Sequence, residues 1–129
     1  MKPRCHMRTA KCLTLGVAIT FALLSGSAMA KVDGEKLFKK KCGGCHTTEA
    51  GSHKTGPSLY KVIGRKAGST DFTNYKALRG ADFTWDVENI GEWITDPKKF
   101  IGKSTAMTVK IKKETDRAAI IDYLGRKND

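Results

Sequence analysis

Cys42-Gly43-Gly44-Cys45-His46 is the stretch on which the reading of this 129-residue chain turns. Two cysteines three apart, followed at once by a histidine, form C-x-x-C-H, the pattern of covalent c-type haem attachment. Residues three and four apart on a helical turn share a face. Cys42 and Cys45 are therefore expected to reach the two vinyl groups of one porphyrin, with His46 below the iron. Gly43 and Gly44 carry no side chains, so they are expected to leave the macrocycle unobstructed at close approach. A thioredoxin-like redox pair or half of a zinc site uses the same cysteine spacing. Zinc needs further ligands at short spacing, and after His46 the chain offers one histidine, His53, and no cysteine. A redox pair has no need of the adjoining histidine. The motif therefore favours haem c, one per chain.

Residues 1–30 read as a signal peptide. Lys2, Arg4, Arg8 and Lys11 form a basic start, Cys12 to Leu24 is apolar apart from Thr and Gly, and Ser27-Ala28-Met29-Ala30 supplies small residues for cleavage. The apolar run falls short of the roughly 20 residues that a membrane span requires, which disfavours an uncleaved anchor. Cleavage after Ala30 leaves one domain, residues 31–129, exported to the periplasm and not inserted in a membrane. Cys5 and Cys12 leave with the leader, so no disulfide is available to brace a small domain. A buried porphyrin is expected to take that role.

The leader carries four of the 24 basic residues and none of the 13 acidic ones, which leaves 20 basic against 13 acidic, or +7, before haem. This balance suits acidic-faced redox partners and salt-sensitive encounter. Nucleic acid is the usual alternative for a basic domain, and export argues against it.

Along the mature chain the pattern is helical with long loops, without a strand ladder, internal repeat or low-complexity tract. Asp33 is a candidate N-cap for a helix running to about Lys41, with Gly34 and Phe38 on one face to receive another helix. Gly51 to Leu59 is rich in turn residues. Within it Pro57 lacks an N–H but offers a carbonyl, of the kind to which a ligating histidine gives its second ring proton. Leu59 to Gly64 reads as a turn or irregular segment, and Phe72 to Leu78 as containing a short helix. Asp86 is expected to cap a helix whose apolar stripe is Val87, Ile90, Trp93 and Ile94, ended by Asp96-Pro97. Phe100 to Lys113 reads as a loop. A last helix is expected from Thr115 or Asp116 to about Gly125, burying Ala119, Ile120, Tyr123 and Leu124.

His46 fills one axial position of the iron. Once Met1, Met7 and Met29 have left, Met107 is the remaining methionine, about sixty residues downstream in a loop able to fold over the haem. A lone loop methionine is usually a gap-filler, but in a c-type haem domain it becomes the leading candidate for the second ligand. His53, Lys103 and Lys110 are the rivals. Two protein ligands would leave gases and peroxide no open position, and a thioether favours Fe(II), raising the reduction potential.

With these features together, residues 33–126 resemble the class I cytochromes c, nearest the small bacterial cytochrome c2-like branch. The resemblance rests on Gly34 and Phe38 ahead of the C-x-x-C-H motif, on Ile120 and Tyr123 in the terminal helix, and on Gly56-Pro57-Ser58-Leu59. It extends to Gly64-Arg65-Lys66-Ala67-Gly68, Trp85, Asp96 to Phe100, and Met107 to Ile111. It implies an all-α cytochrome c fold, its N- and C-terminal helices packed crosswise around a covalently bound haem. It also implies His46 and Met107 as iron ligands, Pro57 as acceptor of the His46 proton, and Arg65 and Trp85 as propionate partners. Phe72 and Tyr75 resemble the family's F-x-Y segment with one extra residue between them. Trp93 stands where the family has a tyrosine whose hydroxyl touches the methionine sulfur; its indole N–H is a donor only. Val109 replaces a common phenylalanine at the haem edge, and the usual proline before the ligand methionine is absent.

The function implied is a soluble, monomeric periplasmic one-electron carrier, not an enzyme. Its lysines (Lys39 to Lys41, Lys54, Lys61, Lys98, Lys99, Lys103, Lys110, Lys112 and Lys113) are candidates for orienting an acidic partner. The alternative is a haem c subunit of a periplasmic oxidoreductase complex, which would carry the same motifs. A peroxidase needs an open iron position and distal acid–base groups, and only His53 is at hand.

Overall fold

Local sequence chemistry sets where the first helix begins. The Asp33 carboxylate accepts the Lys36 backbone N–H at 3.1 Å and starts α1, Gly34–Lys41, as expected. An N-cap of this kind is worth about 1 kcal/mol. The computed structural model describes residues 30–129, so the leader expected at 1–30 lies outside the described residues except for Ala30. Three more helices follow: α2, Val87–Thr95; α3, Pro97–Ile101; and α4, Glu114–Arg126. Among the described residues the one strand-like feature is an isolated antiparallel bridge between Lys66 and Thr84. The architecture is all-α with long loops. No helix among these residues is long and apolar enough to cross a membrane.

α1 packs on α4, and α4 also receives α2. The α1 face predicted from Gly34 and Phe38 is the buried one. Phe38 meets Tyr123 of α4 with ring centroids 5.2 Å apart, a geometry worth about 0.5–1.5 kcal/mol beyond area burial. Gly34 lets the two backbones come close, because a Cβ there would overlap the Ala119 carbonyl. In α4 the buried set is Ile120, Ile121, Tyr123 and Leu124. Ile121 replaces the expected Ala119, which is only partly buried. The extra isoleucine belongs to a second contact: its Cδ1 lies beside Gly91 of α2, and a one-stripe reading of α4 does not anticipate a helix with two neighbours.

α2 opens with a reciprocal cap. Asp86 accepts the Asn89 N–H at 2.8 Å while Asn89 Oδ1 accepts the Asp86 N–H at 2.9 Å. Its buried stripe is Ile90, Trp93 and Ile94. Val87, expected in that stripe, is exposed, since it occupies the first helical position, where the chain is still entering from solvent.

Two loop expectations change. Asp96-Pro97 ends α2 but also begins α3, with Asp96 accepting the Lys99 N–H at 3.2 Å and Pro97 in the first turn. Proline is well suited there, because its missing N–H would have had no helical partner. Phe100 therefore lies within a short helix, which ends at Ile101, instead of opening a loop. The expected helix in Phe72 to Leu78 does not form; that stretch is a run of turns. Local bonds stabilise it instead, with Tyr75 and Thr70 hydroxyls 2.7 Å apart and Arg79 donating to the Tyr75 carbonyl at 3.2 Å.

Gly34→Ala is expected to destabilise the holoprotein by about 1–3 kcal/mol through overpacking of the α1–α4 contact, measured by urea unfolding. An unchanged midpoint would show that the two backbones separate without cost.

Candidate functional site

Cys42, Cys45 and His46 follow directly on α1, whose last turn carries the chain into two tight bonds. The Cys45 and His46 amides both donate to the Cys42 carbonyl, at 3.0 and 2.9 Å. The two thiols are free. Burial, with a smaller contribution from Cys45, pushes the Cys42 thiol up to about 11. A thiol kept protonated at neutral pH is a poor thiolate nucleophile, which disfavours the redox-pair reading. No group of three or more His, Cys, Asp or Glu suited to a metal ion occurs among the described residues.

The two glycines of the motif differ in their protein surroundings. A Cβ on Gly43 would meet the Lys39 backbone, with the carbonyl oxygen at 2.8 Å, while one on Gly44 would meet nothing. Gly43 is thus set by its approach to α1. The glycine that clears space at the ligand is Gly56, where a Cβ would overlap the His46 imidazole. It lies in the quoted Gly56-Pro57-Ser58-Leu59 stretch, but only geometry reveals what it touches.

His46 Nδ1–H donates to the Pro57 carbonyl at 2.7 Å. That bond puts the proton on Nδ1 and leaves the Nε2 lone pair available. Burial lowers the His46 pKa and outweighs the opposing effect of Pro57, so the ring is neutral. A neutral imidazole with a fixed tautomer is the state in which histidine ligates a metal.

His46 and both cysteines line a cavity of about 420 Å³, together with Pro57, Arg65, Trp85, Trp93 and Met107. A volume in the range of roughly 300–1,000 Å³ is typical of cofactor sites. All eight residues singled out from the sequence are therefore gathered in one place. Much of the remaining wall is apolar, including Leu78, Ile120 and Leu124. Two thiols, a neutral imidazole, a thioether and apolar walls fit a porphyrin held by two thioether bonds. The Trp93 indole N–H donates to Met107 Sδ at 3.0 Å. This contact stands where the resemblance implied a tyrosine hydroxyl. Met107 N–H is held by Thr105 Oγ1 at 3.2 Å, and Val109 lines the cavity where a phenylalanine is common.

Behind Trp93 stands an aromatic wall that the sequence did not disclose. Trp85 and Trp93 ring centroids are 5.6 Å apart, and Phe100 lies 5.9 Å from Trp93 and 6.3 Å from Trp85. Phe83 completes the wall against Trp85 at 4.8 Å. Arg65, expected near a propionate, is half-buried and ties the loop: Nη1 donates to the Tyr60 carbonyl at 2.6 Å and Nη2 to that of Ser58 at 2.9 Å. Burial lowers its pKa.

The rival ligands are occupied or elsewhere. His53 does not line the cavity; its Nδ1 accepts the Ser58 N–H at 2.9 Å and its Nε2 faces Asp71 Oδ1 at 2.7 Å. Lys110 Nζ donates to Asp96 Oδ2 at 2.7 Å, and Lys103 is exposed outside the cavity. Three lysines proposed to face a partner are therefore engaged within the chain: Lys110, Lys39 with Glu35 at 2.7 Å, and Lys54 with the Gly43 carbonyl at 2.7 Å.

The family model for cytochrome c matches residues 32–126. The chain belongs to the cytochrome c family. This cytochrome resembles cytochrome c of Theileria annulata, with 40% identity over 92 residues covering 70% of this chain and 80% of the relative. To cytochrome c of Ginkgo biloba it is 37% identical over 93 residues, covering 70% and 82%. To that of Chlamydomonas reinhardtii it is 37% identical over 107 residues, covering 81% and 94%. The cytochrome accordingly binds haem c covalently through its cysteines and is an electron-carrying haem protein.

Asp96 joins three elements, ending α2, capping α3 and holding Lys110 beside the Met107 loop. Its carboxyl lies below the ordinary aspartate value, chiefly through the Lys110 hydrogen bond and then the Lys99 amide. A lowered folded-state pKa gives stability that is complete above the unfolded value of about 3.9 and disappears as pH falls through the folded value. Asp96→Asn is expected to lower the melting temperature by a constant amount between about pH 5 and 8, with the difference closing below about pH 4. Circular dichroism melts of both holoproteins across that range check it.

Proposed function

We propose that this cytochrome is an exported, monomeric one-electron carrier, residues 31–129 forming the mature domain and His46 and Met107 the axial ligands. The observation that carries the reading is the meeting, in one cavity, of a neutral His46 fixed on Pro57 and a Met107 sulfur fixed by Trp93. When bound, haem c supplies reversible exchange of one electron.

The chain's own residues set the conditions for that exchange. Pro57 holds the His46 proton on Nδ1 and so orients Nε2 as donor. Trp93 spends its single N–H on Met107 Sδ, drawing electron density from a sulfur that is already a weak donor; both effects favour the reduced state and a higher potential. Were His46 and Met107 both to hold the iron, peroxide and gases would find no open position, which supports transport over catalysis. Arg65 and Trp85 are the proposed propionate partners. The apolar and aromatic walls exclude water, so charge change at the site meets little solvent rearrangement.

Assignment to the periplasm rests on the leader pattern of residues 1–30 alone; the relatives named above are eukaryotic and do not support that compartment. The excess of basic residues in the mature chain supports acidic-faced redox partners. Lys41 and Lys76 border the cavity itself and are placed to meet them. Neither nucleic acid nor membrane insertion has a place in this reading.

The oxidised holoprotein at neutral pH is expected to show low-spin haem with a weak near-infrared sulfur-to-iron band that disappears in Met107→Ala. A five-coordinate, high-spin spectrum of the unmutated protein would overturn the ligand assignment. Electron transfer from an acidic redox partner is expected to slow as ionic strength rises from about 10 to 150 mM, because the Debye length contracts from roughly 30 to 8 Å. Stopped-flow rates that stay flat across that range would remove the acidic-partner assignment.

A further inference from the structure

His53, set aside as a ligand, stands in a chain of hydrogen bonds that reaches the proposed ligand from the surface. The Pro57–Ser58 peptide group has two ends, and each is held by a different imidazole. Its carbonyl accepts the His46 Nδ1–H at 2.7 Å, and its N–H donates to His53 Nδ1 at 2.9 Å. Because His53 Nδ1 is an acceptor, the ring proton is on Nε2, which donates to Asp71 Oδ1 at 2.7 Å. Every bond in the series therefore points the same way, from His46 through the peptide and His53 to the Asp71 carboxylate.

Hydrogen bonds in series polarise one another, most strongly where water is excluded and when one end is charged. A carboxylate on His53 Nε2 makes Nδ1 a better acceptor. That draws on the Ser58 N–H, enriches the Pro57 carbonyl and strengthens its hold on the His46 proton. An imidazole whose N–H is more strongly held is a more electron-rich donor to iron, and such a donor favours Fe(III).

We infer that Asp71 and His53 are positioning residues that set the haem reduction potential through the Pro57–Ser58 peptide, the charge on Asp71 lowering it. The inference rests on His46 as axial ligand. It opposes the effect proposed for Trp93 on the other ligand, so the potential is set from both sides of the iron.

The surroundings suit this role. The His53 side chain is 19% exposed and the Asp71 side chain 84%, so the charge is at the surface while the relay is mostly shielded. Asp71 is ionised at neutral pH, its carboxyl held below the usual value chiefly by the His53 hydrogen bond. Phe72 packs its ring 5.6 Å from that of His53. Ser58 Oγ donates to the Glu49 carbonyl at 2.5 Å and anchors the residue whose N–H is in the relay. The other charged groups here are directed elsewhere: Arg65 to the Ser58 and Tyr60 carbonyls, and Lys54 to the Gly43 carbonyl.

The test is the midpoint potential of the holoprotein by spectroelectrochemistry, in wild type, Asp71→Asn, His53→Phe and the double variant. Asparagine still accepts the His53 proton but carries no charge. Asp71→Asn is expected to raise the potential by about a twofold change in the equilibrium between oxidised and reduced protein, about 18 mV at 59 mV per tenfold for one electron. In the His53→Phe background the same substitution is expected to change nothing. A shift that persists in full there would show that the charge acts through space, and no shift in either background would show no influence at all; either result overturns the relay. If His53→Phe fails to take up haem, the His46 Nδ1 proton resonance of the reduced, diamagnetic protein is compared between wild type and Asp71→Asn. It is expected to move upfield in the variant, and an unmoved resonance overturns the proposal. The oxidised spectra, recorded first, separate the two readings: loss of the His/Met signature would sink the ligand assignment, whereas an intact signature with unmoved potentials would sink the relay alone.

Discussion

The interior of this protein is lined for something other than amino acids, and that constraint governs the rest. α1 and α4 make one close contact at Gly34 and Phe38, and α2 rests on α4. The three helices do not close over one another. They and the loops surround a cavity of about 420 Å³ whose wall includes Ile90, Trp93, Ile94, Ile120 and Leu124. Apolar surface of this extent is costly to leave to water, and a domain this small has little other core to offset it. A covalently attached haem resolves both difficulties by supplying the missing apolar volume and fixing the segment after α1. The cofactor is thus a structural element as well as the redox centre.

The loops carry the precision. Each proposed ligand is oriented by a neighbour that does not itself need to touch iron: Pro57 for His46, Trp93 for Met107. Those neighbours are held in turn. Arg65 and the Ser58 hydroxyl tie the Pro57 loop to adjacent carbonyls. Trp93 sits on α2 against Trp85 and Phe100, while Asp96 and Lys110 attach the methionine loop to the α2–α3 junction. Such support limits rearrangement when the oxidation state changes, which is what a carrier requires.

Much of this was legible in the sequence because it depends on local chemistry. Asp33 and Asp86 announced their helices by capping, Gly34 and Phe38 announced the face that α4 covers, and the five-residue motif announced the cofactor. The gathering of Arg65, Trp85, Trp93 and Met107 around it followed from family resemblance. What escaped depended on contacts between distant segments. Ile121 is buried because α4 has two neighbours, and Gly56 is required because the His46 imidazole, held on the Pro57 carbonyl, lies against it. The turns from Phe72 to Leu78 replace a helix because side-chain bonds from Thr70 and Arg79 satisfy the chain locally. The Asp71–His53 contact joins two loops 18 residues apart, with no periodicity to signal it.

The central claim, that the porphyrin completes the core, is tested most directly by removing the attachment. Residues 31–129 carrying Cys42→Ala and Cys45→Ala, prepared without haem, are to be heated while helical circular dichroism is followed. The account predicts low helicity and no cooperative transition. A sigmoidal melt from native-like helix content would contradict it, because the helices would then have a sufficient core of their own.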